Sequence, residues 1–447
     1  MVHVAQELAG YLSDFEQFEK DGATGAASWV HQLRTAAIAR FAELGFPTTR
    51  HEEWKYTPVA PIAKVPFTRL GHEGPVLLSG ALERLGFGLS EGARLVFVNG
   101  RYSEEFSSLR ALPGGVRMGS LASALAADSE RIQPHLARYA RYQDHAFVAL
   151  NTAFIEDGAF LNVPAGKVVG DPIHLLFIST ARGTATASHP RNLIVVGNNS
   201  QVTIVETYVG IDTAVYFTNA VTEIVVGENA ALDHYKLQRE SEEAFHVATL
   251  QVHQARNSTV ASHSIALGGA LVRNDVNVIL DGEGGECTLD GLYMTTGQQH
   301  VDNHTRIDHA RPHGLSRQLY KGILDGQSRG VFSGKIVVHP AAPKTDAKQT
   351  NKNLLLSGDA LIDTKPQLEI NNNDVKCTHG SSIGRLDEES IFYLRSRGIG
   401  EEMARDLLTY AFASEIINRI KGEPLRATLE NLVVTRLQQN LPVEATP

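Results

Sequence analysis

The beginning of the chain carries the spacing of an amphipathic helix. Apolar residues recur there at three- and four-residue steps, the period of one helix face: Trp29, Leu33, Ala37, Phe41 and Leu44. Gly45 and Pro47 follow and predict the end of this helix. Residues 1–60 are therefore expected to be mainly helical.

Residues 60–145 have a mixed pattern. An apolar run at Arg94–Val98 is followed by Asn99-Gly100, the dipeptide favoured in hairpin turns, and predicts a strand that ends in a turn. A short helix is predicted around Leu121–Ala127. We therefore expect residues 1–145 to form a helical and mixed N-terminal domain.

Short β-branched runs separated by turn signals dominate residues 146–385, which we predict to be the core domain. Five segments each contain an apolar strand, a glycine turn and a second strand, and the turn glycines are Gly197, Gly227, Gly282, Gly326 and Gly358. The intervals between these glycines are unequal, so the period is only loose. The lack of helical periodicity excludes a βαβ sheet, and the degenerate repeats favour a β-solenoid, with a sandwich and a jelly roll left open.

The pattern becomes helical again over residues 386–447, the predicted C-terminal domain. Asp387 is a suitable N-cap for a helix that ends before Gly398, and further helices are predicted from Gly400 and from Pro424. The second of these three helices carries an apolar stripe: Ala404, Leu407, Leu408, Ala411, Phe412 and Ile416. Such terminal helices either cap a solenoid or bind a partner, and the two roles are compatible.

Composition narrows the function classes. The net charge of −9 argues against a nucleic-acid partner, which would need clustered Lys and Arg. No apolar run approaches a membrane span and the N-terminus does not resemble a signal peptide, so we expect no membrane partner and a cytoplasmic location. The chain has no P-loop, no dinucleotide fingerprint and no H-E-x-x-H string, and no G-x-S-x-G string is expected to form a nucleophile elbow.

A run of histidines and carboxylates is the segment most typical of a metal site. His300, His304, His309 and His313 alternate with Asp302 and Asp308. On a strand, His300 and His304 would share one face with both aspartates, while His309 and His313 would lie on the other face. This gives two half-sites rather than one closed site. The favoured alternative is a set of polar faces of solenoid turns, with the histidines hydrogen-bonded to neighbouring turns. The aspartates also leave open a β-helix polysaccharide-active enzyme.

Cys377 and His379 form the second candidate. Two residues apart on a strand, they share one face, and thiolate and imidazole both bind iron and zinc. Lys376 is expected to lower the pKa of the thiol. The only other cysteine is Cys287, and two cysteines cannot supply the four thiolates that typically hold an iron–sulfur cluster, so another chain would have to complete such a site.

The chain closely resembles the SufB/SufD family of the SUF iron–sulfur cluster assembly system in three strings. These are TDAKQTNKNLLLSGDALIDTKPQLEINNNDVKCTHGSSIGRLDEESIFYLRSRGI at 345–399, TRIDHARPHGLSRQLYKGILDGQSRGVFSGKIVVHP at 305–340 and HEEWKYT at 51–57. Within this family the chain resembles the SufD branch in three features: the KCTHG string, the Arg-Ser-Arg-Gly-Ile stretch at 395–399 and the low cysteine count.

The resemblance implies a right-handed parallel β-helix between helical N- and C-terminal domains, in a scaffold protein that is not an enzyme. It implies a complex with a SufB-type paralogue, bound along the edges of the β-helix, and with two copies of a SufC-type ATPase. The ATPase would dock on the C-terminal helices, where the candidate contacts are Leu407, Leu408 and Phe412. A homodimer through the paralogue-binding surface is expected when the paralogue is absent.

The resemblance also implies a role for His379. In the family arrangement this histidine lies at the interface with the SufB-type subunit and faces a cysteine of that subunit, where the nascent cluster forms. Cys377 is the weaker candidate for the same site. Iron, or a transient cluster, would therefore be cargo that enters at this interface, and no stably bound cofactor is expected.

Overall fold

The computed structural model describes residues 2–22, 27–69, 89, 92–110, 112–180 and 184–439. The helices are α1 (Val2–Gly22), α2 (Ser28–Leu44), α3 (Ala60–Ala63), α4 (Leu121–Ala127), α5 (Ser129–Ile132), α6 (Ala146–Ala153), α7 (Glu388–Ser396), α8 (Glu401–Ile417) and α9 (Glu423–Gln439). The strands are β1 (Arg94–Val98), β2 (Arg101–Tyr102), β3 (Arg117–Ser120), β4 (Ala159–Val163), β5 (Ile173–Ser179), β6 (Thr186–Ser188), β7 (Arg191–Val196), β8 (Gln201–Gly210), β9 (Tyr216–Val226), β10 (Ala231–Arg239), β11 (Phe245–Gln254), β12 (Thr259–Ala266), β13 (Leu271–Leu280), β14 (Glu286–Thr295), β15 (His300–His309), β16 (Leu315–Leu324), β17 (Arg329–Val338), β18 (Asp346–Leu355), β19 (Leu361–Ile370) and β20 (Lys376–Gly384). Among these residues, no helix is both long and apolar enough to cross a bilayer.

The core is a parallel β-solenoid of about eight turns, which confirms the favoured prediction over the sandwich. From β7 to β20 the odd-numbered strands form sheet A and the even-numbered strands form sheet B. Strands on the two sides of a turn therefore do not pair with each other. Each strand pairs in parallel with the strand two places along, so that Ala231, Thr259 and Glu286 are successive partners in sheet B and each marks the same position in its own turn.

The corners of the solenoid explain why the glycine spacing gave a loose period. Gly197, Gly227 and Gly282 lie where the chain passes from sheet A to sheet B, whereas Gly326 and Gly358 lie at the opposite corner. The first corner also holds a column of left-handed residues, one per turn: Asn199, Asn229, Asn257, Gly284, His313 and Lys344. The conformation repeats at each turn, but the residue type does not.

The N-terminal helices pack on the outer face of sheet A. Phe15 of α1, Phe41 of α2 and Phe147 of α6 join Phe217 of β9 and Phe245 of β11 in one apolar cluster. The structure confirms the predicted helix up to Leu44, the strand at β1 with its turn, and the short helix α4.

The C-terminal helices pack on the outer face of sheet B and do not cap the end of the solenoid, so the expectation of a cap was wrong at this end. Ile416 and Ile417 of α8 and Leu429 of α9 share a buried cluster with Leu237 and Leu292 of sheet B. The buried face of α8 matches the predicted stripe only at Ala404 and Ile416, because the helix turns Thr409 and Ala413 inward. Leu407 and Ala411 are exposed, and Leu408 and Phe412 are partly buried.

Candidate functional site at the open end of the solenoid

The last turn of the solenoid, formed by β19 and β20, is an uncovered end. Each of these strands is the terminal strand of its sheet in the described part of the chain. Their residues are mostly exposed or half-buried, unlike those of the preceding strands. Ile383 of β20 is 50% exposed and Leu361 of β19 is also 50% exposed. An uncovered strand edge with apolar side chains is a surface suited to pairing with another chain.

The structure places Cys377 and His379 on the same side of β20, as predicted from their spacing. They follow Ala347 and Gln349 of β18 in register, and both of those residues are buried inside the solenoid. The two candidate ligands therefore continue an interior-facing column at the point where the interior opens to solvent. His379 is exposed, whereas Cys377 is half-buried against Ala347.

Burial dominates the electrostatics of the thiol. It raises the pKa of Cys377, with the nearby charge of Asp346 acting in the same direction and a backbone hydrogen bond from Ala347 opposing both. The expectation that Lys376 lowers this pKa was wrong, because the Lys376 side chain belongs to the opposite face of the strand. A metal ion would have to displace the thiol proton on binding.

The pair is an incomplete metal site. In the described part of the chain, no three His, Cys, Asp or Glu side chains are grouped so that they could hold a metal ion. Cys377 and His379 can therefore supply at most two of the four ligands that a cluster iron usually has, and the remaining ligands have to come from elsewhere.

The histidines of β15 are bonded to polar groups of the surrounding protein, as the favoured alternative predicted, and do not form two metal half-sites in the described part of the chain. On the outer face, His300 and Asp302 receive the HEEWKYT segment: Thr57 Oγ1 lies 3.0 Å from His300 Nε2 and donates to Asp302 Oδ2 at 2.5 Å. Asp302 also accepts from Arg273 at 2.6 Å and contacts His304 at 3.1 Å. Oδ2 of this carboxylate thus binds Thr57 of the N-terminal segment to the solenoid.

Asp302, Arg273, His304 and Glu53 form a charged clamp on the N-terminal segment, and their charges stabilise one another. Burial opposes ionisation of Asp302, but Arg273 and His304 outweigh it and hold the pKa of that carboxyl well below its usual range. Burial and Arg273 disfavour protonation of His304, yet Asp302 and Glu53 together raise its pKa. The hydrogen bond with His304 is the main reason that the pKa of Glu53 is lowered to about 2.

The rest of the run has separate roles. His309 is buried inside the solenoid, 2.9 Å from Ser316 Oγ, and His313 occupies a left-handed corner. Asp308 is bound by Arg306 at 2.6 Å and by His339 at 3.2 Å. Since this aspartate and Asp302 are both neutralised by cations, the structure does not support them as the acid and base of a polysaccharide-active enzyme.

Two G-x-S-x-G strings occur, at 326–330 and 380–384, but neither forms a nucleophile elbow. Ser328 is buried at a corner before β17, 2.9 Å from Thr295 Oγ1, and Ser382 lies within β20. An elbow requires a sharp turn from a strand into a helix, and neither position has one.

A second exposed apolar region lies on the C-terminal helices. A groove of about 700 Å³ runs between α8 and α9, and its lining includes Leu407, Tyr410 and Val434. Three carboxylates line the same groove: Glu401, Glu402 and Asp406. Burial and the neighbouring Glu402 raise the pKa of Asp406. The predicted contact Leu407 lies in this groove, and the other two predicted contacts do not line it.

Phe412 and Leu408 face other surroundings. The Phe412 ring lies under the ammonium group of Lys321 at 3.9 Å and packs against the sheet B cluster. Sequence patterns missed Tyr410 and Val434 because the wall of the groove is divided between two helices. They also missed Phe392 of α7, which is 73% exposed; the available signal was the adjacent aromatic pair Phe392 and Tyr393 on a short helix.

Sequence comparison identifies the family. The family model of the SUF system FeS cluster assembly SufBD core domain matches residues 177–412, and that of the SufBD protein N-terminal region matches residues 5–72 and 89–175. The chain belongs to the SufB/SufD family. It is a SufD-type member of that family and acts in iron–sulfur cluster assembly.

Individual relatives of the SufB/SufD family match most of the chain. The iron–sulfur cluster assembly protein SufD of Escherichia coli K12 is 34% identical over 407 residues, which are 91% of this chain and 92% of the relative. An iron–sulfur cluster assembly SufBD family protein of Synechocystis is 36% identical over 411 residues, 90% of each chain. The chloroplastic protein ABCI7 of Arabidopsis thaliana is 34% identical over 329 residues, 72% of this chain and 69% of the relative.

Proposed function

We propose that this chain is a non-catalytic scaffold subunit in a cytoplasmic complex that assembles iron–sulfur clusters. It pairs with a SufB-type paralogue through the open end of the solenoid and docks a SufC-type ATPase on its C-terminal helices. The observation that carries the proposal is the uncovered last turn, where His379 and Cys377 continue an interior column without further protein ligands in the described chain. The uncovered end of the solenoid and the incomplete set of ligands lie at the same place. One partner would therefore cover the end and supply the missing ligands.

Iron and the nascent cluster are the cargo of this site. A neutral imidazole at His379 binds iron through one ring nitrogen, and Cys377 adds a thiolate after it loses its proton. The SufB-type subunit would supply the missing ligands. In its absence a second copy of this chain would cover the same surface, because the exposed edge of β20 and Ile383 remain available.

The ATPase would dock at the groove between α8 and α9. Leu407 is 45% exposed there and supplies an apolar contact, whereas Glu401 and Glu402 favour basic residues on the partner. Leu408 and Phe412, the other two predicted contacts, are partly buried, and Phe412 serves the packing of α8 on the solenoid.

A movement of the docked ATPase would reach the interface through rigid contacts. Glu415 of α8 accepts from Lys321 at 2.7 Å, and Arg419 donates to the buried Asp290 at 3.0 Å. Lys321 and Asp290 lie on β16 and β14 of sheet B, which ends at β20. ATP-driven dimerisation of the ATPase would therefore shift the equilibrium between conformations of sheet B and alter access to His379.

Replacement of Ile383 by Arg tests the open-end interface. The chain is co-expressed with its SufB-type paralogue and its ATPase, and the complex is isolated by size exclusion. Ile383→Arg should abolish recovery of the paralogue and keep the ATPase bound. Val168→Arg is the matched control, because Val168 is 61% exposed and lies far from β20, near the start of the solenoid. Retention of the paralogue by Ile383→Arg would place the interface elsewhere.

Replacement of His379 by Ala tests the iron site. The complex should still assemble, while its iron content and the growth of a SUF-dependent strain should fall. Cys377→Ser should have a smaller effect. Normal growth and normal iron content with His379→Ala would refute the role of this ligand, and so would a defect that arises from dissociation of the complex.

A further inference from the structure

Gln349 is the interior neighbour of His379. The two residues are register partners on β18 and β20, with side chains on the same inward side of sheet B. Adjacent strands of a sheet lie about 4.8 Å apart. Gln349 is 1% exposed, while His379 above it is exposed. The Gln349 amide is therefore the polar group on the inward side of β18 that lies next to His379 in the ladder.

A directed chain of hydrogen bonds fixes the Gln349 amide. Its Nε2 donates to Gln318 Oε1 at 2.9 Å, and Gln318 Nε2 donates to Thr305 Oγ1 at 2.6 Å. All three side chains are buried. Because the Gln349 amide nitrogen donates in this series of hydrogen bonds, the amide oxygen of Gln349 lies at the end of the series. Gln349 Oε1 is buried and has no hydrogen-bond partner in the described part of the chain.

Gly334 leaves the space in which this amide sits. A Cβ at position 334 would overlap Gln349 Nε2 and come within 2.8 Å of Gln349 Cδ. The backbone φ of Gly334 is not in the left-handed region, so the glycine is required for space rather than for its backbone conformation. The fold thus accommodates the amide at a position where an ordinary side chain would displace it.

We propose that Gln349 is a positioning residue for His379. In the assembled complex, Gln349 Oε1 accepts the ring N–H of His379 and thereby directs the other ring nitrogen toward iron. A neutral imidazole has one donor and one acceptor nitrogen, and an acceptor held against the donor selects the tautomer and the ring orientation. The inference rests on the proposed role of His379 as an iron ligand. If these hydrogen bonds ran in the opposite direction, the Gln349 NH₂ group would face His379. It would then donate to the ring nitrogen that iron needs as a ligand.

The test measures the affinity of the complex for Fe²⁺ alone, titrated anaerobically. Gln349→Met keeps the length of the side chain and removes the acceptor, and the affinity should fall about 10–100-fold. Gln349→Glu keeps an acceptor oxygen and should restore most of the affinity. Asn351→Leu is the matched control: Asn351 is a buried amide on the same face of β18, but its register partner is Ser381. This control should lower the unfolding midpoint and leave Fe²⁺ affinity unchanged.

The outcomes separate this inference from the proposed function. Unchanged Fe²⁺ affinity in His379→Ala would defeat the proposed iron site itself. A loss in His379→Ala together with equal affinities in Gln349→Met and Asn351→Leu would leave that site intact and overturn the positioning role. If Gln349→Met does not assemble, Gly334→Ala, which displaces the amide, is compared with Gln349→Glu. Gly334→Ala should bind Fe²⁺ more weakly, and equal affinities would overturn the proposal.

Discussion

Removal of Arg273 should release the HEEWKYT segment from the solenoid. The buried guanidinium donates to Asp302 at 2.6 Å, to the Glu53 carbonyl oxygen at 2.7 Å and to Asp275 at 2.7 Å. Its Cζ also lies 4.2 Å from the centre of the Trp54 ring. Breaking a buried ion pair from one side typically costs about 3–5 kcal/mol, because the other charge stays buried. Asp302 keeps Thr57 and His304, so we expect a cost of about 3 kcal/mol for Arg273→Met, near the lower limit.

Trp54 itself provides the assay. The chain has only two tryptophans, so a Trp29→Phe background leaves Trp54, which lies beside the clamp, as the single tryptophan. Urea unfolding is followed by its emission for Arg273→Met, Asp302→Leu and the double variant. The double variant should lose less stability than the sum of the single variants, with a coupling energy of about 1–3 kcal/mol. Additive losses, or a cost below about 1 kcal/mol for Arg273→Met, would refute the interpretation of the clamp as a coupled buried pair.

Four further predictions concern pH and the corners. The local stability reported by Trp54 should fall as pH rises from 6.5 through the raised pKa of His304, because the folded ring holds its proton more tightly than the unfolded ring does; His304→Gln should flatten that slope. Stability should also fall as pH decreases from 4.5 toward 2, where the folded Glu53 takes up its proton, and Glu53→Gln should remove this part of the profile. In thermal unfolding at pH 8, Asp290→Asn should raise stability by about 1 kcal/mol, since burial raises the pKa of Asp290 to about 6 and disfavours its ionised form; a lower midpoint would contradict this. In urea unfolding, Asn229→Ala should destabilise the chain more than Asn229→Gly does, because the φ of Asn229 is positive and a Cβ is strained there, and equal costs would exclude backbone strain as the cause.

Local periodicity was sufficient where one element determines its own structure. The spacing from Trp29 to Leu44 predicted α2, and the alternation of side chains along a strand predicted that Cys377 and His379 share a face. The family resemblance implied an interface role for His379 and, more weakly, for Cys377. Neither source predicted Gln349 as the neighbour of His379, because that contact depends on the register between β18 and β20, one full turn of the solenoid apart in the chain.

Long-range packing decided the features that sequence patterns missed. The histidines of β15 resembled a metal site, but Arg273 and the N-terminal segment occupy their carboxylate partner. The repeat had unequal intervals because glycines from two opposite corners were counted together, and Ala255 stands where a third glycine would have continued the series from Gly197 and Gly227. No pattern within one segment reports which other segment covers it.

The ladder between β18 and β20 also acts as a reading frame for the candidate site. The pairing of Ala347 with Cys377 and of Gln349 with His379 decides which alternate residues of β20 look into the solenoid. Loss of one residue before Cys377 would leave the composition of the strand almost unchanged, yet Thr378 and Gly380 would then occupy the interior positions and both candidate ligands would point away. A partner strand added to β20 would continue the same register. Backbone pairing alone would then decide which alternate residues of that partner face the side on which His379 lies.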